Sequence, residues 1–152
     1  MRMQHLLFRI GRETFAVPLL EIEVVLPVPE LEPLAQSPDH VAGLLRYRGR
    51  LIPVVDVGLL RGLRPASQHI SSRLILVQRA GQGAAQIALL VERALEVMDL
   101  QPAGTLPTIV AGEGAHWLSE DVLTGSGDLV RAVDWGALLT PELLELAGRK
   151  QP

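Results

Sequence analysis

The chain contains no cysteine. A disulfide framework, a thiolate zinc site and a cysteine nucleophile are all excluded, and a reducing compartment suits it. Aromatic residues make up only 3%, so the apolar mass is aliphatic. Long apolar runs are missing as well. No stretch reaches the roughly 18 residues of a membrane span, and Arg9 cuts off Leu6-Leu7-Phe8 before it forms a signal-peptide core. These features lead us to expect a soluble, cytoplasmic chain. Charge is sparse too. Fourteen Lys and Arg against seventeen Asp and Glu leave a net −3, so no global field draws the chain to nucleic acid or anionic lipid.

Motifs of catalysis are equally scarce. His5, His40, His69 and His116 are scattered without ligand spacing and read as solvated surface, so no metal is expected. Asp39-His40 is a neighbour pair whose side chains point apart on extended backbone. Ser126 between Gly125 and Gly127 lacks the spacing of a nucleophile elbow and reads as a turn. Gly81-Gln82-Gly83 lacks the third glycine and following helix of a dinucleotide loop. An enzyme is not expected, nor is a cofactor.

What the chain has is aliphatic mass. Of its 152 residues 48% are hydrophobic, the mean hydropathy is +0.28, and 14 Gly and 11 Pro divide the apolar text into short pieces. Those pieces have the length and β-branching of strands. His5–Ile10 and Thr14–Leu20 flank a Gly11-Arg12-Glu13 turn, and Ile22–Leu26 follows. Four prolines between Pro27 and Pro38 mark an extended connection. Val41–Tyr47 and Leu51–Val57 surround Arg48-Gly49-Arg50, then come a helical turn at Leu59–Leu63 and a polar loop at Arg64–Ser71.

The second half repeats this grammar with Arg73–Gln78, Gln86–Val91, Leu95–Leu100, a Pro/Gly-rich connection at Pro102–Gly114, Trp117–Leu123 and Leu129–Val133. Leu51–Leu60 and Leu129–Leu138 share five of ten residues at a spacing of 78. The expectation is one domain over 1–152, all-β with a C-terminal helix. Its two five-stranded barrels, sequential or interleaved, come from repeat halves at about 5–65 and 72–139. The helix spans 140–148, with Thr140 as cap, Pro141 at its first position and Gly148 at its end. Neither barrel alone has much core, so the two must share an apolar face.

Four residues read as structural turn positions: Gly43, Pro53, Asp56 and Asp134. The two aspartates close equivalent strands, where Asp caps the turn that follows. A catalytic carboxylate pair is the lesser reading. Arg46, Arg48 and Arg50 form the densest basic cluster. They suit a protein interface better than nucleic acid, because Tyr47 is the only aromatic beside them. The alternative remains a small β-barrel that binds nucleic acid through this hairpin.

Two segments resemble the CheW-like domain family: Phe8 to Val25, and the more specific Pro38 to Asp56 with its Arg48-Gly49 turn, Pro53 and Val55-Asp56. Asp128–Asp134 resembles the family's final strand. The resemblance runs from about residue 6 to 146. It implies two packed SH3-like barrels related by a pseudo-twofold, without catalysis. It also implies an adaptor joining the cytoplasmic tips of methyl-accepting chemoreceptors to the regulatory domain of a CheA-type histidine kinase, cytoplasmic and recruited to receptor arrays. By the same resemblance Ile22, Val24 and Val25 border an apolar receptor groove and are expected to be exposed. Arg46, Arg48 and Gly49 then lie near the coupling surface. This chain departs from the family pattern at Val24, where a Glu is usual, and at Arg46-Tyr47, where Asn-Leu is usual. Glu21 and Glu23 are the candidates to replace the lost charge partner of Arg48. The departures point to a divergent member serving a pathway other than flagellar chemotaxis.

Overall fold

A computed structural model of the chain describes residues 2–35, 37–63, 65–66, 70–78, 86–105, 118–125, 127, 129–138 and 143. Ten strands are present among the described residues: β1 Met3–Ile10, β2 Glu13–Pro18, β3 Ile22–Pro27, β4 Val41–Tyr47, β5 Arg50–Asp56, β6 Arg73–Gln78, β7 Gln86–Val91, β8 Arg93–Thr105, β9 Leu118–Thr124 and β10 Leu129–Val133. A short helix, α1, covers Val57–Leu60.

The strands form two sheets. One is a closed barrel in the order β1-β2-β10-β9-β8, and the other has the order β3-β6-β7-β5-β4. The strands of the repeat halves are interleaved between them. Each half supplies a hairpin (β1–β2 or β6–β7) and then a three-strand unit (β3–β5 or β8–β10). Each hairpin pairs with the three-strand unit of the other half. Equivalence extends to pairing sense: β5 runs parallel to β7 and antiparallel to β4, as β10 runs parallel to β2 and antiparallel to β9.

This exchange explains the aliphatic surplus. The hairpins are buried on both faces, so their strands read as continuous apolar runs rather than alternating ones. Leu7 and Ala16 turn into the closed barrel beside Leu100, Leu123 and Val130. Leu74, Leu76, Ala88 and Leu90 turn into the second sheet. The opposite faces meet between the barrels, where Phe8, Ile10, Phe15 and Val17 pack with Ile75, Val77, Ile87 and Leu89 around Trp135. Phe8 and Phe15 are direct cross-strand partners with ring centroids 5.7 Å apart.

Several expectations change. Gly43 and Pro53 lie in strands, not turns. Gly43 stands at a register shift in β4 with φ 151, and a Cβ there would come within 2.7 Å of the Glu32 carbonyl oxygen. Pro53 pairs with Leu44 on β4, while the pairing of β5 with β7 begins only at Val54, so its missing N–H breaks no ladder. β8 continues through Pro102 to Thr105, into the expected connection, because Gln101 to Thr105 pair with β9 beyond the end of β1. The Thr14–Leu20 run ends as a strand at Pro18, and Leu19–Glu21 forms a 3₁₀ turn. The helical turn expected at Leu59–Leu63 begins earlier, at Val57.

Asp56 is the N-cap of α1. It is buried, and its carboxylate accepts the N–H of Leu59 (3.2 Å) and of Ala66 (3.0 Å). Asp134 leads into the equivalent 3₁₀ turn, Trp135–Leu138, and its carbonyl accepts the Ala137 N–H. His5 is buried rather than solvated, with Nδ1 2.9 Å from the Met3 carbonyl. Of the expected C-terminal helix, Leu143 is helical and buried in the central core. The rest of 140–148 lies outside the described residues, as do His69, Gly81–Gly83, His116, Trp117 and Ser126.

Candidate functional site

The β4–β5 hairpin turns on Arg48 and Gly49, with φ 50 and 74. Two consecutive positive φ values define the type I′ geometry, whose twist matches that of the flanking strands. Glycine adopts it freely. Arg48 is the only non-glycine residue at positive φ among the described residues, and holding a long side chain there stores backbone strain.

The three arginines diverge from this tip. Arg46 forms an ion pair with Glu32 of the Pro-rich connection, its Nε donating to Oε1 at 2.9 Å. Arg50 donates from Nη1 to Gln86 Oε1 at 2.7 Å. The Arg48 guanidinium lies 5.3 Å from the centroid of the Tyr47 ring, a cation–π placement. Arg48 is exposed and has no ion pair among the described residues. The cluster is therefore one presented cation flanked by two engaged ones, not a continuous basic face.

Gln86 is buried at the start of β7. Its Nε2 donates to Gln78 Oε1 at 3.1 Å and to Glu23 Oε2 at 3.4 Å. An Arg50–Gln86–Glu23 relay thus crosses the second sheet from the hairpin to β3. Glu21 turns the other way and accepts the Trp135 indole N–H at 2.7 Å. Neither glutamate is an ion-pair partner of Arg48. Gln86 was missed by sequence reasoning, since a lone glutamine opening an apolar strand carries no signal of its own.

The apolar part of the site is smaller than expected. Ile22 is half-buried against the central core, and Val24 is half-buried against the interior of the second sheet. The cause is a bulge: Ile22 faces Val77 and Val24 faces Leu76, leaving Glu23 unpaired between them. The bulge re-aims successive side chains. Val25 remains exposed, at 38%, and Leu20 in the preceding 3₁₀ turn is exposed at 88%. Leu20 was also missed, because a three-residue turn breaks the alternation that marks a face. Among the described residues no group of acidic residues and histidines could hold a metal ion.

The family model for the CheW-like domain matches residues 4–142. The chain belongs to the CheW-like domain family. The chemotaxis protein CheW of Rhizobium meliloti is 22% identical over 141 residues, covering 92% of this chain and 89% of that protein. The CheW of Klebsiella aerogenes is 25% identical over 150 residues, covering 94% and 85%. The crystal structure of the scaffolding protein TtCheW from Thermoanaerobacter tengcongensis superposes with a TM-score of 0.73 at 19% identity, covering 88% of this chain and 84% of that one. The CheW-like fold is two SH3-like barrels, and the interleaved sheets here are that arrangement. A CheW-like domain is a non-catalytic scaffold. No helix among the described residues is long and apolar enough to cross a membrane.

Proposed function

We propose that this CheW-like chain is a chemotaxis adaptor that couples the cytoplasmic tips of methyl-accepting chemoreceptors to the regulatory domain of a CheA-type histidine kinase. It works in the cytoplasm and is recruited to receptor arrays. The observation that carries this reading is the β4–β5 tip, where Arg48 is held at positive φ, exposed, without an ion pair among the described residues and oriented by Tyr47. A strained, presented cation serves a partner better than it serves the fold. Arg46, Arg48 and Gly49 are assigned to the kinase contact. Val25 is assigned to the receptor contact, with Ile22 and Val24 supporting it from beneath.

Calorimetric titration of the full chain with a receptor cytoplasmic fragment and with a kinase regulatory domain tests both assignments. Arg48→Ala should weaken kinase binding about tenfold, roughly 1.4 kcal/mol. Arg12→Ala, at the exposed tip of the β1–β2 hairpin, should leave it unchanged. Val25→Asp should weaken receptor binding and spare the kinase. Failure of the native chain to bind either partner overturns the reading. The departures at Val24, Arg46 and Tyr47 support an output outside flagellar swimming, which gene deletion scored for swimming against surface motility decides. With Arg46 engaged by Glu32 and Arg50 by Gln86, no oligonucleotide binding is expected.

A further inference from the structure

On the closed barrel, a second pair of arginines is used by nothing described so far. Arg9, near the end of β1, is the direct cross-strand partner of Arg93 at the start of β8. Directly opposed residues on antiparallel strands share a face, with Cβ atoms about 5 Å apart, and like charges in that relation are destabilising. Among the described residues no carboxylate pairs with either arginine. Neither guanidinium forms a hydrogen bond or ion pair among the described residues. The neighbouring Glu92 carboxylate is turned to the Gly11 N–H at 2.9 Å.

Arg9 is also partly enclosed. Its Nε is buried and has no hydrogen-bond partner among the described residues, and an unpaired buried donor is costly, the more so on a charged group. On its other side Arg9 faces Thr14 of β2, which is half-buried. Leu7 lies two residues earlier on the same face and packs inside the barrel. Thr14, Arg9 and Arg93 are therefore direct neighbours in one row across β2, β1 and β8, near the end of β1 on the closed barrel.

We infer that the juxtaposition of Arg9, Arg93 and Thr14 is a binding site for a phosphate-type oxyanion. Such an ion accepts from both guanidinium planes, supplies the missing partner of the Arg9 Nε and converts the opposed like charges into a bridged pair. The site lies on the other barrel from Arg48 and requires neither receptor nor kinase, so it stands or falls apart from the coupling role.

Thermal melts of the full chain in inorganic phosphate against chloride, at constant ionic strength, test it. Phosphate should raise the midpoint saturably, as mass action on the folded state requires, and Arg93→Gln should abolish the increment. Arg93 is exposed, so this variant keeps the fold. Arg93→Glu should raise the midpoint in phosphate-free buffer by supplying the anion in cis, and should also remove the phosphate response. Co-sedimentation with phosphatidylglycerol vesicles separates the sources. Retention that needs Arg93, without a response to free phosphate, assigns a lipid headgroup, and the reverse assigns a free ion. No response in either arm, or a response that survives Arg93→Gln, overturns the site and leaves two guanidinium groups that merely reach solvent.

Discussion

Arg48 occupies a backbone position that Asn or Gly would hold at lower cost, since both populate the left-handed region more readily. Its side chain adds a cation–π contact to Tyr47, worth about 0.5–1 kcal/mol at an exposed site. The two effects nearly cancel. Arg48→Asn should therefore leave the urea midpoint unchanged or slightly higher while weakening kinase binding as Arg48→Ala does. A large loss of stability would assign Arg48 to the fold instead. Gly43 is the opposite case. At φ 151, with the Glu32 carbonyl oxygen 2.7 Å from a would-be Cβ, Gly43→Ala must strain the backbone and push the connection off β4. About 3 kcal/mol of destabilisation is expected. Gly49→Ala, with nothing within 4 Å, should cost about 1 kcal/mol. Paired urea titrations compare them. The sequence showed that Gly43 and Asp56 matter, and Asp56 was legible because its equivalent, Asp134, recurs in the repeat. Gly43 was misread because the group that crowds it belongs to a residue eleven positions earlier.

At the scale of elements, strands were legible wherever both faces are buried, as in β6 and β7, and illegible where closure depends on long-range pairing. β8 is the clearest example. Its continuation through Pro102 to Thr105 exists because β9 pairs with it, and no local propensity favours it. β3, its counterpart, stops at Pro27, and among the described residues the following connection pairs with β4 as a β-bridge at Glu32 and Leu44 instead of a continuous strand. The second sheet is thus closed more weakly than the first, and polar side chains tie it across. The Arg46–Glu32 pair is exposed and contributes little, about 0–1 kcal/mol. The Arg50–Gln86–Glu23 relay passes through a buried amide, so its loss strands polar partners. Gln86→Ala should cost about 1–3 kcal/mol in a thermal or urea melt, and should also weaken kinase binding by loosening the hairpin base. An unchanged melt would mean that water replaces the amide at no cost.

For the whole molecule, the interleaving has a direct consequence for cooperativity. Each barrel takes its hairpin from one repeat half and its three-strand unit from the other, and the faces of the two hairpins meet around Trp135. The repeat was legible in the sequence, as was the need for a shared apolar face, because both follow from local pattern. Which hairpin joins which three-strand unit was not, since both pairings satisfy the same alternation. If β1–β2 closed on β3–β5, each half would fold alone; in the observed pairing neither half contains a complete sheet. Cleavage in the polar loop that follows α1, between β5 and β6, therefore separates every hairpin from its strands. The two fragments, expressed alone, should lack dispersed amide spectra and cooperative melts. Mixed in equal amounts, they should recover both by exchanging hairpins across the central core. The intact chain should unfold in one transition, because losing either barrel exposes the shared face of the other. A fragment that folds by itself, or an intact chain that melts in two separate steps, would contradict the exchange of hairpins.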